Sequence, residues 1–171
     1  PAISIVRIDP DISLEKAALV GCGVMTGVGA AIKTAQVRPG STAAVFGCGG
    51  VGLSVIQGCR LAGALKIIAV DLADNKLKMA EEFGATHTVN ASSGPLAPIK
   101  ELTDGIGVDY AFEAIGVPEV MLQANAAARR GGTVCIVGLG RITDQVPLNA
   151  MLIAVEAKRF LGSFYGDTNF K

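Results

Sequence analysis

The sequence predicts an α/β domain built on a six-stranded, doubly wound parallel sheet. Three observations predict it. Six short runs are apolar throughout rather than alternating, as suits strands covered on both faces. Helical patterns separate the runs, and strands alternating with helices pair in parallel through right-handed crossovers. A glycine-rich turn, Gly47-Cys48-Gly49-Gly50-Val51-Gly52, joins the first run to the first helix of the sheet, and Asp71 stands nineteen residues after Gly52 at the end of the second run.

Ile3 to Ile8 reads as a short strand, stopped by Asp9-Pro10. Ser13 is placed to cap a helix that carries Glu15 in its first turn. A Gly-interrupted helix is expected from about Thr26 to Gln36, and Arg38-Pro39-Gly40 is a turn. The six strands are expected at Thr42–Phe46, Leu65–Val70, His87–Val89, Val108–Phe112, Thr133–Val137 and Phe160–Phe164. Helices are expected near 50–62, 74–83, 95–102, 119–128 and 149–157. Asp74 is placed to cap the second of these and Pro118 to start the fourth. Arg129 and Arg130 are expected at a helix end, as solvated cations suited to its dipole. His87, the one histidine, reads as a half-exposed strand residue. Residues 1–40 are taken as a lead-in from a catalytic domain outside this sequence, and 41–171 as the sheet domain proper.

The glycine turn carries the chemistry. Gly47 allows a tight turn off the first strand, Gly49 a close backbone approach with no Cβ in the way, and Gly52 close packing of helix on sheet. Gly50 lies between them, at the helix start. The free N–H groups of that helix would then face an anion such as a pyrophosphate. Asp71 sits where a carboxylate accepts hydrogen bonds from the hydroxyls of an adenosine ribose. Strand, G-x-G-x-x-G turn, helix, strand and acid together point to a dinucleotide.

Composition narrows the field. Half of the 171 residues are apolar and 18% are charged, which hints at surface normally covered by something else. The formal net charge is zero and Trp is absent, so neither an electrostatic footprint nor stacking platforms speak for nucleic acid. The four cysteines form no C-x-x-C and read as reduced thiols of an intracellular protein. Cys48 reads as a small residue that fits the turn, and Cys59 and Cys135 read as core. The longest uncharged stretch, Ala17 to Ile32, reads as too short and too rich in glycine to span a membrane. With no signal peptide visible, the expected location is the cytoplasm. The chain opens on Pro1-Ala2 and closes on Phe164 to Lys171 without an obvious closing element, so a piece of a longer protein is expected.

Gly21-Cys22-Gly23-Val24-Met25-Thr26-Gly27, followed by Pro39-Gly40-Ser41-Thr42 and Val45 to Ser54, resembles the zinc-dependent alcohol dehydrogenases of the medium-chain superfamily. Ile68 to Asp71, Glu82 to Thr86, Phe112 to Gly116 and Val134 to Gly138 continue the match over nearly the whole chain. The resemblance implies the Rossmann cofactor-binding domain of such an enzyme. It implies that Cys22 is one of three protein ligands of a catalytic zinc, that Thr26 lies beside the nicotinamide, and that Val51 packs on the nicotinamide face. It implies that Lys76 contacts the adenosine ribose and that backbone near Ile115 and Val137 lines the cofactor cleft. The other zinc ligands and the proton relay belong, in that family, to an upstream domain. In the whole enzyme zinc would lower the pKa of the bound alcohol, whose alkoxide passes hydride to the nicotinamide.

The resemblance therefore implies NAD as cofactor, zinc in the intact enzyme, and an alcohol or aldehyde as substrate, leaning toward primary or benzylic alcohols or glutathione adducts of aldehydes. This chain alone is expected to be inactive. The resembled family also pairs two such domains across a two-fold axis, which maps to a sheet edge near Val146, Leu148 and Met151, with Pro147 removing one backbone donor. Three other readings compete. A non-enzymatic NAD-sensing domain gives no reason for Gly21-Cys22-Gly23. A zinc-free quinone or enoyl reductase of the same superfamily usually lacks that Cys and commonly prefers NADPH. A methyltransferase commonly has a G-x-G-x-G turn. Glu113, at the end of the fourth strand, is either a site carboxylate or a local hydrogen-bond partner.

Overall fold

A computed structural model describes residues 6–167. Six strands form one parallel sheet: β1 (Thr42–Phe46), β2 (Lys66–Asp71), β3 (His87–Asn90), β4 (Val108–Glu113), β5 (Ala128–Ile136) and β6 (Arg159–Gly162). Their order is β3-β2-β1-β4-β5-β6, so the chain winds outward from β1 in both directions and reverses between β1 and β4. That is the doubly wound order that opens a crevice at the switch point. The helices are α1 (Leu14–Thr34), α2 (Gly50–Leu61), α3 (Asp74–Phe83), α4 (Leu96–Leu102), α5 (Pro118–Ala127) and α6 (Ala150–Glu156).

Each central strand is buried on both faces, as its unbroken apolar run predicts. Along β1, Ala43 and Val45 join one core with Ala30, Ile56, Ile67 and Phe112, beneath α1, α2 and α3. Ala44 and Phe46 point the other way and join Ile68, Val70, Ile99, Ala124 and Val134 beneath α4 and α5. Full burial of each such Val, Ile or Phe contributes about 1.5–3 kcal/mol. These two apolar layers pack the sheet on both faces beneath the crevice.

Several expectations change. Of the strand expected at Ile3–Ile8, residues 3–5 lie outside the described residues, and Val6 to Ile8 form no strand. The separate helices expected around Ser13 and Thr26 are one continuous helix. Ser13 caps it, its side chain accepting from the Lys16 N–H at 3.4 Å. Two π turns, Val20–Val24 and Ala30–Thr34, interrupt its α geometry. At 21 residues and mean hydropathy 1.4, α1 meets the length and composition of a membrane span, which the uncharged stretch alone does not. Its second half instead buries Gly27, Gly29, Ala30 and Ala31, packed against α2.

Asp74 does not cap α3. Ala73 is the cap residue, and Asp74 accepts from the Asn90 amide at 2.6 Å, tying α3 to β3. Pro118 does begin α5. β5 starts five residues earlier than expected, with an irregularity opposite Val108 and Tyr110, so Arg129 and Arg130 belong to a strand rather than a helix end. Arg130 donates to the Val155 carbonyl at 3.0 Å, while Arg129 Nε donates to Asp109 at 2.7 Å.

Asp109 joins three strands. Its second oxygen accepts from the Thr42 N–H at 2.8 Å and the Thr42 hydroxyl at 2.9 Å. Partial burial pushes this carboxyl up, but the Thr42 N–H, Arg129 and the Thr42 hydroxyl outweigh it and hold it below its ordinary value. A depressed carboxylate stabilises the fold above its unfolded pKa, near ~3.9, and loses that contribution as pH falls through the folded value. Asp109→Asn is therefore expected to cost about 1 kcal/mol in urea unfolding at neutral pH, discounted for exposure. The gap to wild type should close below about pH 4; a gap that is the same at every pH would contradict this account.

Candidate functional site

Two clefts open at the C-terminal ends of the strands and share a wall made by Ala114 and Ile115. The first, about 570 Å³, is lined by Gly47, Gly49, Asp71, Leu72, Lys76 and Gln123 among others. The second, about 460 Å³, holds Cys22, Thr26, Val51, Val137, Leu139 and Phe164 among others. Cys22 and every cofactor-binding candidate therefore line one chamber or the other, except Gly50 and Gly52, which lie in the first turn of α2, while Glu113 lines neither.

The turn is built as its glycines require. Gly47 has φ +94°, a left-handed conformation that L side chains rarely adopt. A Cβ at Gly52 would fall on the Gly47 carbonyl oxygen. In front of Gly49 and Gly50, by contrast, nothing lies within 4 Å. Gly49 is the cap residue of α2 and offers no side-chain acceptor. The first N–H groups of a twelve-residue helix thus have no capping side chain, and the space beside Gly49 and Gly50 is open, an arrangement that suits a phosphate.

Asp71 stands at the rim of the same chamber. One oxygen accepts from the Cys48 N–H at 2.8 Å, and the other from the Ala73 N–H at 3.1 Å. Each carboxylate oxygen has a further lone pair, so the group is fixed in place and can still accept from a ligand's hydroxyls. Lys76 Nζ lies 3.8 Å from it, with the lysine side chain half exposed. Cys48 is buried beneath, and burial, then the Asp71 charge, pushes its thiol up to about 12, so it acts as a packing residue. Burial holds Cys135 near 12 and raises Cys59 as well. His87 is half-buried, with Nδ1 2.9 Å from the Thr86 hydroxyl, away from either chamber.

Glu113 proves to be a local partner with a large task. It is fully buried, and Oε1 accepts from the Ile115, Gly116 and Val117 N–H groups at 3.0, 2.7 and 3.4 Å. Burial pushes its carboxyl up, against those three bonds. The carboxyl shapes the turn that carries the shared wall of the clefts. The second chamber also contains residues that sequence reasoning missed, namely Leu139, Ser163, Phe164 and Tyr165. They follow strands β5 and β6, where a sheet of this topology places ligand-facing loops, and that is the signal that could have found them.

The dinucleotide fits this cradle: unfilled backbone at Gly49 and Gly50, free helix N–H groups, and an anchored acid at the ribose position. The metal does not have its ligands here. Cys22 is an exposed thiol, and among the described residues no three His, Cys, Asp or Glu side chains converge on a metal site. A catalytic zinc takes three protein ligands. The described residues do not supply that set.

A doubly wound sheet with a cleft at its switch point is the architecture of dinucleotide-binding domains. A family profile for zinc-binding dehydrogenases matches residues 50–171, and the chain belongs to that family, as part of its cofactor-binding domain. It is similar in structure to benzyl alcohol dehydrogenase from Acinetobacter calcoaceticus, at 34% identity and TM-score 0.91, over 96% of this chain and 45% of that one. An alcohol dehydrogenase zinc-binding domain protein from Burkholderia ambifaria shares 36% identity at TM-score 0.90, over 95% of this chain and 44% of that one. A zinc-binding dehydrogenase from Sinorhizobium meliloti 1021, bound to NADP, shares 33% identity at TM-score 0.77, over 85% and 44%. The chain thus spans under half the length of these proteins.

Proposed function

We propose that this chain is the NAD-binding half of a zinc-dependent alcohol dehydrogenase, holding NAD(H) for hydride exchange with an alcohol or aldehyde in the cytoplasm. The observation that carries the reading is the pair of chambers meeting at Ile115, one with the glycine turn and Asp71, the other with Cys22, Thr26 and Val51. Bound NAD supplies a hydride acceptor. Asp71 would accept from the ribose hydroxyls beside Lys76, and the N–H groups at the start of α2 would face the pyrophosphate. Val51, Ile115 and Val137 present apolar surface to the second chamber, where they would hold the nicotinamide and exclude water. Thr26 offers a hydroxyl on the same wall. Cys22 sits where a single thiolate could join ligands from outside these residues. That placement is also what separates this reading from a zinc-free reductase or a sensing domain. NADP in the Sinorhizobium relative leaves NAD preference a property of this chain's Asp71, tested below.

The proposal predicts binding without turnover. NADH fluorescence should rise on titration of the purified chain, while no alcohol should reduce NAD in its presence. Alcohol-dependent NADH formation by the chain that disappears in Cys22→Ala would overturn the division of labour proposed here.

The proposal extends to a homodimer through the edge near Val146, Leu148 and Met151. Val146 to Leu148 form no strand in the single chain, and exposed Met151, Ile153, Val155 and Phe160 adjoin them along α6 and β6. Isologous pairing would cover this apolar surface on both copies. Sedimentation is expected to give a dimer at micromolar concentration and a monomer for Leu148→Lys with Met151→Asp. A wild-type monomer, or a dimeric variant, would remove this interface.

A further inference from the structure

The end of the sheet opposite the cofactor clefts carries a third, differently built cleft of about 420 Å³. It lies where β1, β4, β5 and β6 begin, and its charged lining is Arg38, Arg129, Arg159 and Asp109. The single carboxylate is already committed. One oxygen of Asp109 meets Arg129 Nε at 2.7 Å and the other meets Thr42. Arg159 turns Nε and Nη2 onto the hydroxyl of buried Thr133, at 3.2 and 3.0 Å. That contact fixes the guanidinium plane without neutralising it. Neither Arg159 nor Arg38 has an ion pair among the described residues. Two uncompensated guanidiniums therefore share one concavity in a chain whose formal net charge is zero.

Guanidinium groups present planar forks of donors that match phosphate and carboxylate oxygens, and they hold their charge at any working pH. The remaining lining suits an anion as well. Gly40 and Gly131 add no side chain, and the Ser41 hydroxyl is already donated to the Arg38 carbonyl at 2.6 Å, which leaves the guanidiniums as the donors. Tyr110 gives its hydroxyl to the Gln36 carbonyl at 3.2 Å and is buried, so no aromatic platform is offered to a nucleobase. The arginines gather around one open concavity rather than along a basic stripe, which also argues against a polymer. We infer that this cleft binds a compact multivalent oxyanion, carrying phosphates or clustered carboxylates, at a site separate from the cofactor clefts.

Pyrophosphate and citrate distinguish the two sources of such charge. Each would be titrated into ¹⁵N-labelled chain while the amide signals are followed. The glycine turn is the obvious competing phosphate site, and the assignment of the shifted amides separates the two. Saturable shifts are expected at Gly40, Ser41, Gly131 and Thr133, at sub-millimolar concentration of at least one probe, and the tighter probe names the source. Arg38→Glu, which removes a side chain with no hydrogen bond to lose, should weaken these shifts at least tenfold. Arg159→Lys, which keeps a donor for Thr133, should weaken them less. Shifts confined to Gly47 to Gly52, no saturable shift with either probe, or an Arg38→Glu titration equal to wild type would overturn the inference.

Discussion

Gly52→Ala is expected to cost the chain more than about 3 kcal/mol and to lower its melting temperature by about 10 °C. The new methyl would meet the carbonyl oxygen of Gly47, which is backbone and sits in a turn already held at φ +94°. Inserting carbon into a well-packed interior ordinarily costs ~1–3 kcal/mol, when side chains can yield. Here α2 would have to lift off the sheet instead. The comparison is Gly49→Ala, three residues earlier. Gly49 has φ −79° and ψ −173°, which any residue adopts, and its Cβ would enter open space. That variant should melt within a few degrees of wild type and still lose at least about tenfold in NADH affinity, roughly 1.4 kcal/mol, because the methyl occupies the approach of the pyrophosphate. Thermal melts and NADH titrations of the pair decide the matter. If both variants melt alike and bind alike, the division between a packing glycine and an approach glycine is wrong.

The second large effect concerns the choice of cofactor. Wild type is expected to bind NAD at least tenfold more tightly than NADP, and Asp71→Ser to bring the ratio close to one. A carboxylate beside a 2′-phosphate costs on the order of 1–4 kcal/mol at a partly solvated site. The residues that follow Asp71 are Leu72, Ala73 and Asp74, so no arginine is at hand to offset the repulsion. Lys76, now 3.8 Å from the carboxylate, would be free to meet the phosphate once the acid is gone. Asp71 also accepts from the Cys48 and Ala73 N–H groups, so the serine variant should lose affinity for both cofactors. The ratio is therefore the measurement to read. A ratio that Asp71→Ser leaves unchanged would show that specificity resides elsewhere.

The contrast between these two glycines also shows what the sequence makes legible. The central strands declare themselves because both faces are covered, which leaves unbroken apolar runs such as Ala43 to Phe46 and Ile67 to Val70. The glycine turn is legible because each glycine answers a steric demand of its own. Features settled by distant contacts are not legible. β5 begins at Ala128 through two arginines and two glycines, a composition that reads as a helix end until Asp109 and Val155 are there to receive Arg129 and Arg130. The two π turns of α1 leave no mark in a stretch of small apolar residues. Glu113 carries no sign in the sequence that three amide hydrogens converge on one of its oxygens. The far wall of the second chamber comes from Leu139, Phe164 and Tyr165, whose place follows from topology alone.

The strand order has a consequence for how the cleft comes into being. Most neighbouring strands join residues close in sequence: 19 positions separate Ile67 from Thr86, and 26 separate Thr133 from Arg159. The pairing of β1 with β4 is different, with Thr42 and Asp109 lying 67 positions apart. Closing a longer loop costs more chain entropy, though only logarithmically, and contacts between distant segments are reached slowly. The sheet is thus two half-sheets zipped at one long-range seam. The first half brings the glycine turn, Asp71 and Lys76, and the second brings Ile115, Val137 and Leu139. Neither half alone has both walls of either chamber, so the cofactor cleft exists only once that seam has closed.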